Sequence, residues 1–176
     1  MPFQPKPNPG AGLPALAPGG QSVVIGIDPG AKGALAAMET SGLVIGVWDW
    51  PGSAAELWAL ISDNPRLLKV RLAALEKQSP FPGQAMTNFA MGTNYGVWQG
   101  LAAFLGWPLE TPHVSTWRKA VLDSSVPKKP QKADLVAFAR RRWPDAEIMG
   151  KRGGAKDGRA EALCIAEYAR RQVVGK

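Results

Sequence analysis

Residues 22 to 30 read Ser-Val-Val-Ile-Gly-Ile-Asp-Pro-Gly. The β-branched run halted by Pro29-Gly30 predicts a buried strand over 22–28 that ends in a turn, with Asp28 at its C-terminal tip. Two further strands are expected over 33–39 and 43–48, joined round Ser41-Gly42, which makes a three-stranded antiparallel meander. Ser53-Ala-Ala-Glu56 has capping-box spacing ahead of Leu57, Trp58, Leu60 and Ile61, so a helix should begin there and stop near Asn64-Pro65. The run VRLAALE over 70–76 then predicts a strand reached by a helical crossover, parallel to the first.

Beyond it, apolar Val97, Leu101, Phe104 and Leu105 predict a helix over 94–106, and 109–114 is a candidate last strand. Ser115 is placed to cap a short helix over 116–122, Pro130 to open another reaching Trp143, and a final helix is expected over 158–173. Three strands, helix, strand, helix, strand and then helices describe a mixed α/β domain, not a fully parallel sheet.

The chain has 176 residues and 45% hydrophobic content, enough for one core and one domain over 22–176. Residues 1–21 are rich in Pro and Gly without hydrophobic period and are expected to be a flexible tail. The net charge of +7 is uneven: 6 Lys/Arg face 7 Asp/Glu up to residue 117, and 15 face 7 after it. That asymmetry points to a polyanionic partner, the alternative being a basic solvated face. No apolar run approaches the roughly 18 residues that span a bilayer, so no membrane role is expected. Cys164 is the only cysteine, which excludes an intrachain disulfide and argues against a Cys-based zinc site.

Four acids carry the chemistry. Neighbouring parallel strands lie about 4.8 Å apart, so Asp28 and Glu76, each ending a strand, are expected to converge. Asp157 and Glu161, four apart, share one face of the last helix near its N-terminus, where the helix dipole favours negative charge. Gathered carboxylates repel, a pair at 4 Å costing about 4 kcal/mol at an effective dielectric of 20. Bound metal relieves this, and an all-oxygen donor set points to Mg²⁺ or Mn²⁺, paired ions being suited to phosphodiester cleavage. Singly, each acid also has a structural reading: Asp28 shaping the Asp-Pro-Gly turn, Glu76 a solvated strand end, Asp157 and Glu161 serving the last helix. The 77–83 stretch after Glu76 supplies a loop beside the proposed centre.

On VVIGIDPGAKGALA (23–36), LEKQSPFPGQ (75–84), NYGVWQGLAAFLGW (94–107), VSTWRKAV (114–121) and KDGRAEALCIAEYA (156–169), the chain resembles the RuvC-like Holliday junction resolvases. In detail it looks closest to the branch containing the plant chloroplast resolvases. The resemblance implies a ribonuclease-H-like fold: a mixed five-stranded sheet, three antiparallel strands then two parallel, flanked by helices. It further implies that Asp28, Glu76, Asp157 and Glu161 are catalytic and hold two Mg²⁺ ions, with Mn²⁺ as substitute. A homodimer acting on four-way junction DNA by paired nicks is implied as well. The last pair departs from the bacterial pattern, whose acids stand three apart; here Gly158 occupies the position a strict match would give to an acid.

Arg118, Lys119 and Lys132 match positions where the family sets basic residues close to the scissile phosphate, and Lys128 and Lys129 add charge. Lys151, Arg152 and Lys156 form a basic, glycine-rich approach to the acidic helix. Arg159 has two readings, DNA contact or a pair with Glu161. Arg140, Arg141 and Arg142 are read as DNA-facing or as a charged helix exterior. Phe81 and Phe89 flank a Pro/Gly stretch, and the resemblance implies that aromatics of this loop wedge into the junction centre, burial in the core being the alternative. Trp98, Trp107, Trp117 and Cys164 are expected to pack in the core, and His113 to be a polar boundary residue. Gly96 and Gly100 form a strip for close helix approach, in the core or at a dimer interface.

The function expected is junction resolution by an endonuclease working in the cytoplasm or nucleoid of a bacterial or viral setting, with an organelle as the other setting. The alternatives are a related nuclease acting on RNA, R-loops or flaps, a non-catalytic junction-binding protein, and a kinase-like ATPase. The kinase reading shares the Asp-x-Gly hairpin but needs a second lobe.

Overall fold

The structure is a computed structural model that describes residues 22–80, 82–150 and 153–175. The 1–21 tail, Phe81, Lys151 and Arg152 lie outside the described residues, together with the roles expected of them.

Five strands, β1 (Val23–Asp28), β2 (Ala34–Glu39), β3 (Val44–Asp49), β4 (Val70–Leu75) and β5 (Leu109–Glu110), form one sheet in the order β3-β2-β1-β4-β5. β1 pairs antiparallel with β2 and β2 with β3, while β4 lies parallel to β1 and β5 parallel to β4. This is the mixed sheet the sequence predicts. Helices α1 (Ala54–Ser62), α2 (Ala85–Phe104), α3 (Val114–Val121), α4 (Lys132–Arg142) and α5 (Asp157–Val174) flank it. No helix among the described residues is long and apolar enough to cross a membrane.

Strand alternation sorts the core onto two faces. Ile25, Ile27, Leu35 and Leu75 pack with Leu57, Ile61, Trp98 and Trp107 on the α1/α2 side. Val24, Met38, Leu72 and Ala74 pack with Trp117, Leu135, Phe138 and α5 on the other. Burying each large aliphatic contributes roughly 1.5–3 kcal/mol, against about 1 kcal/mol for a helix cap. The strands therefore set the frame and the caps adjust its ends. Helix α5 lies directly on β1: a Cβ at Gly26 would stand 2.1 Å from the Ala166 nitrogen and 2.2 Å from the Ala162 carbonyl oxygen. Only a residue without a side chain permits that approach, and Asp28, two residues on, continues the same strand face toward the start of α5.

Several helix starts differ from expectation. Ser53 caps α1 as predicted, its hydroxyl accepting from the Glu56 N–H at 3.2 Å and donating to the Glu56 carboxylate at 2.9 Å. Helix α4 opens instead on Gln131, whose side chain and that of Asp134 cap each other's backbone reciprocally. His113, not Ser115, stands at the N-cap of α3. Helix α2 begins at Ala85, well before the expected 94, so Phe89 sits on a helix and not in a loop. The early turns were illegible because Met86, Thr87, Phe89, Gly92 and Thr93 are set by no apolar period. Strand β5 is reduced to two residues, since Pro108 and Pro112 lack the N–H a longer ladder needs.

Candidate active site

Asp28 both shapes the turn and faces α5. Its Oδ1 accepts from the Gly30 N–H at 3.0 Å, as the Asp-Pro-Gly reading requires, while its Oδ2 lies 3.1 Å from where a Cβ on Gly158 would stand. Burial pushes its carboxyl above the ordinary 3.8, opposed by the Gly30 bond and the Lys132 charge and reinforced by Asp157. The Glu76 N–H donates to the Ile27 carbonyl at 3.0 Å, which extends the parallel pairing by one residue and fixes Glu76 beside Asp28. Its Oε2 accepts from the Trp117 indole N–H at 2.7 Å and its Oε1 lies 3.5 Å from the Gln78 amide. Burial also raises the Glu76 carboxyl, with Asp28 adding and Trp117 subtracting.

The other two acids come from α5. Asp157 is its first residue, hydrogen-bonded to the Lys132 ammonium, and that bond foremost holds its carboxyl below the ordinary value. Glu161 stands one turn on, with the Arg118 guanidinium at 3.3 Å. Burial, then the charges of Asp28 and Glu76, push Glu161 up to about 7. Three of the four acids thus resist ionisation through burial and one another, the environment a buried site presents to an arriving cation.

The donor set is all carboxylate and suits a hard divalent ion. Each acid leans on its own partner, however: Gly30, Trp117, Lys132 or Arg118. Among the described residues no three Asp, Glu, His or Cys side chains are grouped tightly enough to ligate one ion.

The basic residues divide. Lys132 and Arg118 reach the acids. Lys119, Lys128 and Lys129 line a groove of about 490 Å³ between α3 and the start of α4. Arg159 does not pair with Glu161: it donates to Asp49 at 2.7 and 3.1 Å and to the Glu147 carbonyl at 2.6 Å. At 16% exposure its side chain is committed to that pair. Lys156 joins the same aspartate at 3.2 Å. Arg141 and Arg142 lie on the exposed side of α4, stacked over Phe138 and Trp143. Phe89 is 74% exposed. Gly96 and Gly100 have nothing within 4 Å of an added Cβ, so their strip faces outward and the core alternative falls. Trp98, Trp107, Trp117 and Cys164 are buried as expected, and His113 is exposed.

Two partners of the candidate residues, Asp49 and Trp117, carry no signal of that role in the sequence. Asp49 ends β3 one residue past the expected strand and carried no signal of its own. Trp117 has the pattern of a packing residue, and only the adjacent Arg118 marks its helix as near the site.

No protein-family model and no curated protein matches the chain. Solved structures do, two RuvC structures among them. Thermus thermophilus RuvC in complex with Holliday junction substrate is 19% identical, with a TM-score of 0.54 over 88% of this chain and 96% of that one. The Thermus thermophilus RuvC structure is likewise 19% identical, with a TM-score of 0.54 over 87% and 96%. At that identity the likeness establishes the architecture: the chain has a RuvC-like, ribonuclease-H-like α/β fold.

Proposed function

We propose that this chain is a structure-selective DNA endonuclease that resolves four-way (Holliday) junctions by paired, metal-dependent phosphodiester hydrolysis. The observation that carries the reading is that Asp28 and Glu76 end neighbouring parallel strands while Asp157 and Glu161 open the helix packed against them, near enough for Asp28, Glu76 and Glu161 to act on one another's charge, with Lys132 and Arg118 bonded to the helix pair. The RuvC fold of a protein solved with a Holliday junction substrate supports the choice of DNA.

The four acids would hold two Mg²⁺ ions, or Mn²⁺ in their place, which when bound supply an activated water and neutralise charge on the leaving oxygen. Lys132 and Arg118 then turn from Asp157 and Glu161 to the phosphates flanking the cut, and Lys119, Lys128 and Lys129 follow the backbone along their groove. Phe89, with Phe81, serves as the apolar wedge at the junction centre. A homodimer joined through the outward Gly96–Gly100 strip of α2 gives two matched sites for two symmetric cuts. The setting proposed is the cytoplasm or nucleoid of a bacterial or viral system, with an organelle as the other setting.

The test is incubation with labelled four-way, flap, duplex and RNA:DNA substrates, with and without Mg²⁺. Paired nicks in the four-way junction that require Mg²⁺ are expected. Preference for RNA:DNA contradicts the substrate, and tight junction binding without cutting of any substrate contradicts the chemistry.

A further inference from the structure

Trp117 is wholly buried, and its indole contacts the candidate site at two points. Its ring N–H donates to Glu76 Oε2 at 2.7 Å across 41 residues of sequence. Its face carries the Arg118 guanidinium 5.2 Å above, and Arg118 in turn reaches Glu161 at 3.3 Å. One indole therefore braces Glu76 directly and Glu161 through its neighbour, from a helix itself anchored in the core by Val121. The hydrogen bond is not the routine fate of a tryptophan in this protein. Among the described residues the indole nitrogens of Trp98, Trp107 and Trp143 are buried without any partner, so the core accepts an unmatched indole N–H elsewhere. At Trp117 the N–H is matched to a carboxylate, and a charge-assisted bond of this kind fixes a side chain more firmly than a neutral one.

Resting on the metal-site reading above, we propose that Trp117 is a positioning residue that holds Glu76 in the orientation from which it ligates metal. Oε2 is engaged by the indole, and Oε1 has only the Gln78 amide at 3.5 Å, beyond the usual range of a strong hydrogen bond. Oε1 is accordingly the oxygen left for a metal ion. A carboxylate pinned at one oxygen gives up less freedom on binding, and removal of such an outer partner typically costs about 10–100-fold in metal affinity or activity.

The experiment uses Trp117→Phe, which keeps an aromatic ring in the core and removes the donor. Trp107→Phe is the control for packing loss alone. Mn²⁺ affinity is measured by titration on the protein without DNA, alongside kcat, KM and affinity for a four-way junction in EDTA. Expected for Trp117→Phe are a Mn²⁺ Kd weaker by about 10–100-fold, a kcat lowered at fixed Mn²⁺ and restored toward the parent at high Mn²⁺, and KM and junction affinity within about twofold. Trp107→Phe should lose stability and keep its Mn²⁺ affinity. If Trp117→Phe fails to fold, 3-benzothienylalanine at 117, which has sulfur in place of the N–H in a ring system of the same shape, replaces it with the same expectations. Unchanged Mn²⁺ affinity in a folded variant overturns the proposal while leaving the metal site standing. A parent protein that binds no Mn²⁺ overturns both.

Discussion

Gly158 of α5 is pressed so closely on the β1–β2 turn that a Cβ there would stand 2.3 Å from the Lys32 carbonyl oxygen and 3.1 Å from Asp28 Oδ2. This contact explains why the acids of the last helix stand four apart. An acidic side chain at 158 has no room, so the carboxylate nearest the helix start comes from Asp157, which leans outward to Lys132.

Gly158→Ala makes the contact measurable, because helix propensity and packing predict opposite signs. Propensity alone stabilises by up to about 1 kcal/mol. The carbonyl that would be struck belongs to the backbone and cannot swing aside, so overpacking of about 1–3 kcal/mol should prevail. Urea unfolding decides between them: a midpoint moved down supports the close contact, and one moved up refutes it.

How much of this was legible follows from what each feature rests on. Asp28 was readable because a β-branched run meets Pro-Gly immediately after it, and the remaining acids because the order of elements carries them to the same sheet end. The Trp117–Glu76 and Arg159–Asp49 bonds, 41 and 110 residues apart, are products of packing that no local pattern records. The start of α2 was hidden for the opposite reason: much of its surface is Gly, Thr and Met that touch little, so no period betrays it.

Burial and like charge at Glu161 give a stability that depends on pH. The carboxyl is raised to about 7 in the folded chain from 4.5. Below 4.5 both states hold the proton. Between those values the folded chain keeps a proton that the unfolded chain releases, so stability falls as pH rises and reaches its floor above 7. The loss is on the order of 3 kcal/mol at most. In EDTA, the parent should lose more stability across this window than Glu161→Gln, in which only the raised Asp28 and Glu76 carboxyls still contribute with the same sign. Parallel pH profiles for the two proteins would show that Glu161 is not held protonated. The buried Glu167 runs the other way: burial raises its carboxyl, but its bonds to Arg170 and Arg171 outweigh this and hold it low, so its contribution is complete above about 4.5 and fades in more acid solution.

Junction binding should weaken steeply with salt, since the basic residues after position 117 displace counterions from phosphate. Lys119→Ala and Lys132→Ala should each weaken binding and lower the salt slope by about 1. Arg170 is occupied with the Glu167 carboxylate at 2.6 Å and the Thr40 carbonyl at 3.3 Å, so Arg170→Ala should cost stability and leave junction affinity alone. Equal losses of affinity in all three variants would reduce the basic face to bulk charge.

The outward strip on α2 predicts a homodimer. Gly100→Leu places a bulky side chain where nothing lies within 4 Å of the added Cβ, so the isolated fold should tolerate it while the dimer dissociation constant rises at least tenfold, to be read by analytical ultracentrifugation. A parent that stays monomeric even on junction DNA, or a variant with unchanged association, removes α2 from the interface.

The central claim rests on Asp28, which serves the turn with one oxygen and turns the second toward Gly158 at the start of α5. Asparagine keeps an oxygen for the Gly30 N–H, so Asp28→Asn should preserve the turn while removing the charge. The decisive measurement is nicking rate and junction affinity on the same preparations of parent and Asp28→Asn in Mg²⁺. The account predicts that nicking falls at least a thousandfold, roughly the loss of 4 kcal/mol of transition-state stabilisation, with affinity within about twofold because the phosphate contacts come from the basic residues. An Asp28→Asn protein that still cuts the junction at a rate near the parent's would contradict it.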